Sequence, residues 1–307
     1  MSHKTISIII PCLNSEKTIQ RAFDSLKNQT CNDFECIVMD GMSSDKTLEI
    51  IEKNSSVVDI LISEKDDSGA DAANKAIKLS QGKMICFLYA DDYLSEDFVD
   101  SITNIYKDNS DIDYISYGLQ IQNLHTKKII LKSYKKKNLK ASLTNACFKH
   151  VLNHAYNKKV FDEIGNLKHL YFDEKIFFSN DREFLIRMVL NGKKNYVIEN
   201  ILYYMQSHKD SYTGSRSNIV RIRYEHIGIA DYYLNKKFIS SEHIKILKLF
   251  KSHNLALLFA WFIITFNFKS AVTIFFMGLK NSKILWPIHI IFRPISEIFY
   301  RLSVKLF

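Results

Sequence analysis

From Thr5 to Asp92, short apolar runs alternate with amphipathic stretches, and this alternation constrains the fold more than any other feature of the chain. Thr5–Ile10 (TISIII), Phe34–Met39 (FECIVM), Val57–Ile62 and Met84–Tyr89 (MICFLY) read as strands. Between them lie three helical patterns. Lys17–Asn28 carries Ile19, Ala22, Phe23 and Leu26 at helical spacing after a capping Asn14-Ser15-Glu16. A second helix runs from Ser44-Asp45 through Glu52, and a third spans Asp71–Leu79 before Gly82. Strand–helix alternation with short connections predicts a parallel sheet with right-handed crossovers.

Each strand runs out into polar residues: Asn14, Asp40, Glu64 to Asp67, then Asp91 and Asp92. In an open sheet of this kind, ligands bind beyond the carboxyl ends of the strands. Two carboxylates closing a buried strand are costly unless a cation, a metal–diphosphate complex or a paired base offsets them. Oxygen ligands suit Mg²⁺ or Mn²⁺, which points to a phosphorylated ligand. A solvated Asp-Asp turn capping a helix near Ser95 is the simpler alternative. Neither a G-x-G-x-x-G run nor a Walker-type phosphate loop occurs, so a dinucleotide-binding Rossmann domain and a P-loop are disfavoured.

At 307 residues and 47% hydrophobic content the chain can bury a sizeable core. Its five cysteines (Cys12, Cys31, Cys36, Cys86 and Cys147) form no C-x-x-C pair, which suits reduced thiols in a cytosolic protein. Met1–Thr5 is polar and Ile6–Ile10 is too short for the apolar core of a signal peptide. The net charge of +9 is uneven, with Lys and Arg frequent from Lys127 onward. Basic charge fits a phosphorylated substrate or anionic lipid; nucleic acid is disfavoured because no zinc-finger spacing or RNP-type aromatic motif is present.

Beyond Asp92, Leu94–Asn109 reads as a helix, Tyr114–Tyr117 as a strand and Lys128–Leu131 as its hairpin partner. Lys135–Lys137 reads as a solvated basic run. Cys147–Tyr156 is strand-like and carries His150 and His154, each of which reads more simply as a structural residue than as an acceptor contact. Lys158–Ile164 is helical and ends at Gly165, while Ser179-Asn180-Asp181 precedes an amphipathic helix over Arg182–Leu190 that any of the three could cap. Lys194–Tyr204 is strand-like. His208–Ser217, with Lys209 and Arg216, is either a loop closing over a diphosphate or a plain solvent loop. From Ile244 the chain turns apolar: Leu255–Phe266, then Ala271–Leu279, then Ile284–Phe307. A spanning helix needs roughly 20 apolar residues, so neither of the first two runs qualifies alone. Trp261, Trp286, Phe292, Phe299 and Tyr300 beside basic residues fit helices lying on an anionic leaflet; a helical subdomain packed on the core or on a second chain is the alternative.

In order and spacing, SIIIPCLNSEKTI, SLKNQT, FECIVMDGMSSDKT, SEKDDSGADAANKAI and FLYADD resemble the successive motifs of family 2 glycosyltransferases with the GT-A fold, notably bacterial O-antigen and capsule enzymes. The resemblance implies a catalytic domain over 1–215, with a nucleotide-sugar half to about residue 110 and an acceptor half beyond it, and a helical membrane-surface region over 216–307. It implies a UDP-sugar donor, with Pro11, Leu13, Asn14, Glu16 and Asp40 about the uracil and ribose and Asp40 accepting from the base. Glu64, Asp66 and Asp71 would line the donor pocket, supported by Asn74 and Lys75. Asp91 would meet ribose or sugar hydroxyls, and Asp92 would hold Mn²⁺ or Mg²⁺. Asp181 would be the general base of an inverting transfer, and His150, His154 and Arg216 are candidates for acceptor or loop contacts. A polyprenyl-diphosphate-linked acceptor would place the enzyme on the cytoplasmic face of the bacterial membrane. Departures from the family pattern are Tyr89 in place of a common Asp, Ser68 and Ala76 in place of Gly, and Asn180 in the first slot of an acidic pair. A nucleotidyltransferase and a non-catalytic membrane scaffold are the alternatives; PCLNSEKT lacks the glycines the first needs.

Overall fold

The structure, a computed structural model, describes residues 4–132, 142–148, 153–165, 176, 178–207, 216–236 and 239–281. Lys135–Lys137, His150, Lys209 and Ile284–Phe307 lie outside them. The chain divides into two units, Met1–Ser142 with Lys149–Ser211, and Leu143–Phe148 with Tyr212–Phe307.

The first unit is built on one mixed sheet. Strands β1 (Ile6–Cys12), β2 (Phe34–Asp40), β3 (Ile60–Ser63) and β4 (Met84–Phe87) alternate with helices α1 (Ile19–Lys27), α2 (Thr47–Lys53) and α3 (Gly69–Leu79). All four strands run parallel, with β1 between β2 and β4 and β3 beside β2. β2 is buried at every residue and β1 at every residue except half-buried Pro11, as expected for parallel strands covered on both faces. β3 is only part-buried, as its place at the sheet edge requires. It starts at Ile60 rather than Val57 because Val57 N–H closes a turn onto Asn54 C=O. Ile19, Ala22, Phe23 and Leu26 are the buried face of α1, as their spacing predicts.

Past β4 the sheet becomes mixed. The short β5 (Tyr93–Leu94) precedes α4 (Phe98–Asp108), then come β6 (Tyr114–Asn123), β7 (Ile129–Lys132), β8 (His154–Asn157), α6 (Lys159–Ile164), α7 (Asn180–Leu190) and β9 (Asn195–Ser207). The order is β3-β2-β1-β4-β8-β6-β9-β5, with β7 paired to β6 as a hairpin. α4 begins four residues later than its pattern suggests, because Tyr93 and Leu94 pair antiparallel with Tyr204 and Tyr203 of β9. Cys147, expected in a strand, lies in helix α5 (Leu143–Phe148). Gly165 ends α6 with φ −52°, not in the left-handed conformation its sequence position suggests.

Two close approaches fix the register. A Cβ on Gly82 would lie 2.5 Å from Ser7 N and 2.7 Å from Ile6 C, both backbone of the central β1. Gly82 N–H also donates to Ser7 Oγ (2.8 Å) and to buried Glu35 (3.1 Å). Gly82→Ala is therefore expected to destabilise the protein by about 3 kcal/mol, read as a lowered melting temperature. An unchanged melting temperature would mean that β1 yields at no cost. Gly118 sits at the β6–β9 irregularity, where a Cβ would lie 2.5 Å from Asn200 O.

In the second unit, α8 (Arg216–Leu234), α9 (Ser241–Ile264) and α10 (Phe268–Asn281) enclose a core of Ile227, Leu255, Leu258, Phe262, Ala271 and Ile274. Phe148 of α5 packs edge-on against Phe250 at 5.6 Å. α9 is longer than the apolar run within it, and by length and composition alone could cross a membrane. Phe266, between α9 and α10, has φ 57°, a left-handed conformation that costs a non-glycine residue on the order of 1 kcal/mol.

Candidate active site

The strand ends form a rim of two stapled loops. Asn14 follows β1 with φ 49°, a conformation Asn tolerates better than most residues. Its side-chain oxygen accepts Ser44 N–H at 2.9 Å, while its own N–H donates to Ser43 Oγ at 2.8 Å. Glu16 N–H donates to Asp45 at 3.1 Å, and Glu16 accepts Lys46 N–H at 3.1 Å. Asn14 and Glu16 thus hold the loop after β1 to the loop after β2, with Leu13 exposed beside them and Pro11 half-buried in the strand. Asp40 is buried at the end of β2, accepting from Ser63 Oγ (2.6 Å), Ser43 N–H (3.1 Å) and the Ser43 hydroxyl. Its carboxylate organises the rim from beneath.

Beyond β3, Glu64 and Asp71 clamp Lys75, at 2.8 and 2.9 Å, and Asp71 also accepts Asp67 N–H. The two carboxylates hold the ammonium in its charged form, above its usual range. The Ser68 hydroxyl caps α3 by accepting Asp71 N–H, so the helix starts at Gly69, two residues before the predicted Asp71, and Asn74 and Lys75 sit in its second turn. This face is not simply solvated, since Asn74 is buried. A Cβ on Gly41 would lie 2.8 Å from Asp66 Oδ2, so the absent side chain leaves room for that carboxylate at the rim. Burial, then the neighbouring Asp71, raise the Asp66 pKa.

After β4 the chain turns at Ala90-Asp91-Asp92. Asp92 is 2% exposed, so it is not a solvated turn residue. Tyr203 Oη donates to its Oδ2 at 2.7 Å and Gln206 N–H donates to its Oδ1 at 2.8 Å. Tyr203 Oη also accepts Tyr89 N–H at 3.2 Å, so one buried hydroxyl ties both sides of the turn to β9. Arg21 of α1 donates to Asp91 C=O at 2.6 Å and lies over the Tyr93 ring, itself stacked on Tyr204. Burial, then the Asp91 charge, push the Asp92 carboxyl well above the usual carboxylate range.

Asp181 lies in the first turn of α7, where its Oδ1 accepts Arg182 N–H at 2.6 Å and Asn180 Oδ1 accepts Asp181 N–H at 2.7 Å. Ser179 flanks the helix without a side-chain cap, its hydroxyl buried and unpartnered. Burial, then the charges of Asp181, Asp92 and Asp91, hold the Tyr89 phenol neutral, above its usual range. Three of the carboxylates singled out from the sequence therefore influence one tyrosine, although Asp181 stands 89 residues after Asp92.

His154 does not join them. It is buried in β8, with Nδ1 2.8 Å from Ser116 Oγ and its ring edge-on to Tyr114, and burial lowers its pKa to about 3. It is a neutral core residue, the simpler of the two readings the sequence offered, and not an exposed acceptor contact. Arg216 opens α8 and Ser217 follows it there, which corrects their place in the predicted loop; residues 208–215 lie outside the described residues. Tyr203, Gln206 and Arg21 had no distinguishing sequence signal: Tyr203 reads as an ordinary strand residue, Gln206 falls just past the predicted strand Lys194–Tyr204, and Arg21 reads as a polar position of an amphipathic helix.

Among the described residues no three His, Cys, Asp or Glu side chains gather as a metal cage. The Asp92 donor set nevertheless fits a cation shared with a diphosphate. Each of its oxygens accepts one hydrogen bond of the two its lone pairs allow, and its buried charge is poorly offset.

The chain is 25% identical over 212 residues to the poly(ribitol-phosphate) beta-N-acetylglucosaminyltransferase TarS of Staphylococcus aureus, a match over 66% of this chain but only 36% of that protein. It is 28% identical over 245 residues to an uncharacterized glycosyltransferase of Methanocaldococcus jannaschii, covering 77% of this chain and 82% of that one. The structure of TarS residues 1–349 in complex with UDP-GlcNAc aligns over 80% of this chain and 71% of its own with a TM-score of 0.66 at 20% identity. A mannosyltransferase of Pyrobaculum calidifontis in complex with GDP-Man and Mn²⁺ aligns over 100% of this chain and 82% of its own with a TM-score of 0.62 at 13% identity. At these identities the structural likeness is one of fold, the GT-A arrangement. The family model for glycosyl transferase family 2 matches residues 7–165, just over half of the chain, and the chain belongs to that family.

Proposed function

We propose that this glycosyltransferase moves a hexose or N-acetylhexosamine from a UDP-sugar to a lipid-linked saccharide, with inversion, during assembly of a bacterial surface polysaccharide such as O-antigen or capsule. The observation that carries the reading is the buried carboxylate of Asp92 at the carboxyl rim of the sheet, held by the Tyr203 hydroxyl and the Gln206 N–H. The TarS complex with UDP-GlcNAc supports UDP as the donor nucleotide. Asp40, with the stapled loops, would seat the base and ribose, and Lys75, held between Glu64 and Asp71, would support the donor site from that side. Asp92 would hold Mn²⁺ or Mg²⁺, which when bound offsets the charge of the departing diphosphate.

In the transfer, the Asp181 carboxylate takes the proton of the acceptor hydroxyl as its oxygen attacks the anomeric carbon. The bond from that carbon to the UDP oxygen breaks as the new glycosidic bond forms on the opposite face, and UDP leaves with the bonding pair. Cytoplasmic work at the inner face of the membrane follows from a polyprenyl-diphosphate acceptor.

Calorimetry with UDP, with and without Mn²⁺, on the wild type and Asp92→Ala tests the donor site. Affinity is expected to rise at least about tenfold with Mn²⁺, and Asp92→Ala to abolish that gain. No binding of UDP under any condition would overturn the donor reading, and tight binding of GDP in its place would reassign the nucleotide.

A further inference from the structure

The second unit presents an apolar tip that its own core does not use. Ile264, Phe266, Phe268 and Phe276 are 55%, 80%, 57% and 64% exposed and cluster around the turn from α9 to α10. α10 buries Ala271, Ile274 and Gly278 against the unit, yet its outer face carries Val272, Phe275 and Phe276. A helix apolar on both faces is out of place in water. Phe266 holds a left-handed conformation that glycine would adopt without strain, so an aromatic is kept in solvent at a conformational cost.

The turn also meets several of its backbone hydrogen bonds internally. Thr265 N–H donates to Trp261 C=O, Phe266 N–H to Ile263 C=O and Asn267 N–H to Phe262 C=O, all within 3.1 Å. The Thr265 hydroxyl donates back to Trp261 C=O, and Asn267 Oδ1 caps α10 at Ser270 N–H. The amides of Thr265, Phe266 and Asn267 are thus satisfied within the protein, which lowers the cost of taking this turn out of water. Among the described residues of α9 and α10, from Ser241 to Asn281, five Lys stand against one carboxylate, Glu242.

We infer that the α9–α10 turn is a wedge that inserts into an anionic lipid surface, with Phe266 and Phe268 at its point. Aromatic side chains favour the headgroup boundary, and the basic charge attracts anionic headgroups. α9 commits Leu255, Leu258 and Phe262 to the core of its own unit, which suits a shallow wedge rather than a lone spanning helix. The inference rests on the membrane placement proposed above and says which surface makes it.

Flotation of the full chain with phosphatidylglycerol and with phosphatidylcholine vesicles tests it, without donor, acceptor or metal, so its outcome is separate from that of the UDP experiment. Binding is expected to favour the anionic vesicles and to weaken with salt. Phe266→Gly suits the backbone, so the melting temperature should hold or rise while the partition coefficient falls about tenfold. Phe266→Asp with Phe268→Asp should lower it about a hundredfold. Absence of vesicle binding by the wild type, or partition unchanged in both variants, would overturn the inference. So would a self-associating chain that the variants make monomeric without any change in lipid binding, which would assign the tip to a second copy.

Discussion

Asp181→Asn is expected to lower kcat for sugar transfer by on the order of a thousandfold while leaving UDP affinity within about twofold. The asparagine side chain has nearly the shape of aspartate, and its Oδ1 can still accept Arg182 N–H as Asp181 does at 2.6 Å, so the first turn of α7 is kept. What it lacks is a lone pair basic enough to take the acceptor proton. Initial rates of UDP release with a competent donor–acceptor pair, beside calorimetry and melting on the same preparation, separate these effects. A rate within tenfold of wild type would remove Asp181 from the role of base and leave it as a helix-terminus residue.

Tyr203→Phe is the second large effect. Tyr203 is fully buried, and its one hydroxyl serves two partners, donating to Asp92 Oδ2 and accepting Tyr89 N–H. Its removal leaves a buried carboxylate oxygen without its donor and a backbone amide without its acceptor, about 1–3 kcal/mol for each group stranded. Residues that orient a metal-binding carboxylate change metal affinity or activity by about 10- to 100-fold when removed. The variant should therefore lose Mn²⁺-dependent UDP affinity by that factor, as well as melting earlier. A lowered melting temperature with the Mn²⁺ dependence intact would mean that Tyr203 only supports the fold.

The parallel half of the sheet was legible because its strands and helices follow local periodicities, and Ile19, Ala22, Phe23 and Leu26 pack as their spacing requires. The carboxylates at the strand ends were legible for the same reason, since a buried run that stops at Ala90-Asp91-Asp92 marks its own rim. The support of Asp92 was not. It comes from β9, 111 residues away, and depends on a pairing of Tyr93 and Leu94 with Tyr204 and Tyr203 that no local pattern encodes. Cys147 was misplaced because a six-residue segment such as Leu143–Phe148 is too short for its apolar period to tell strand from helix. His154 could be read either as a structural residue or as an acceptor contact, because a sequence shows the ring but not its burial among Tyr114, Ser116 and Tyr156.

The loops after β1 and β2 share their hydrogen bonds reciprocally: Asn14 and Glu16 each both give to and take from residues 43–46, and Ser15 N–H reaches Thr47 Oγ1 at 2.7 Å. Neither loop carries a complete set of partners by itself. A chimera that imports one of them from a relative with a different donor would strand the other's amides, so residues 13–16 and 43–47 can be exchanged only together. The rim is a single inheritable cassette written in two places along the chain.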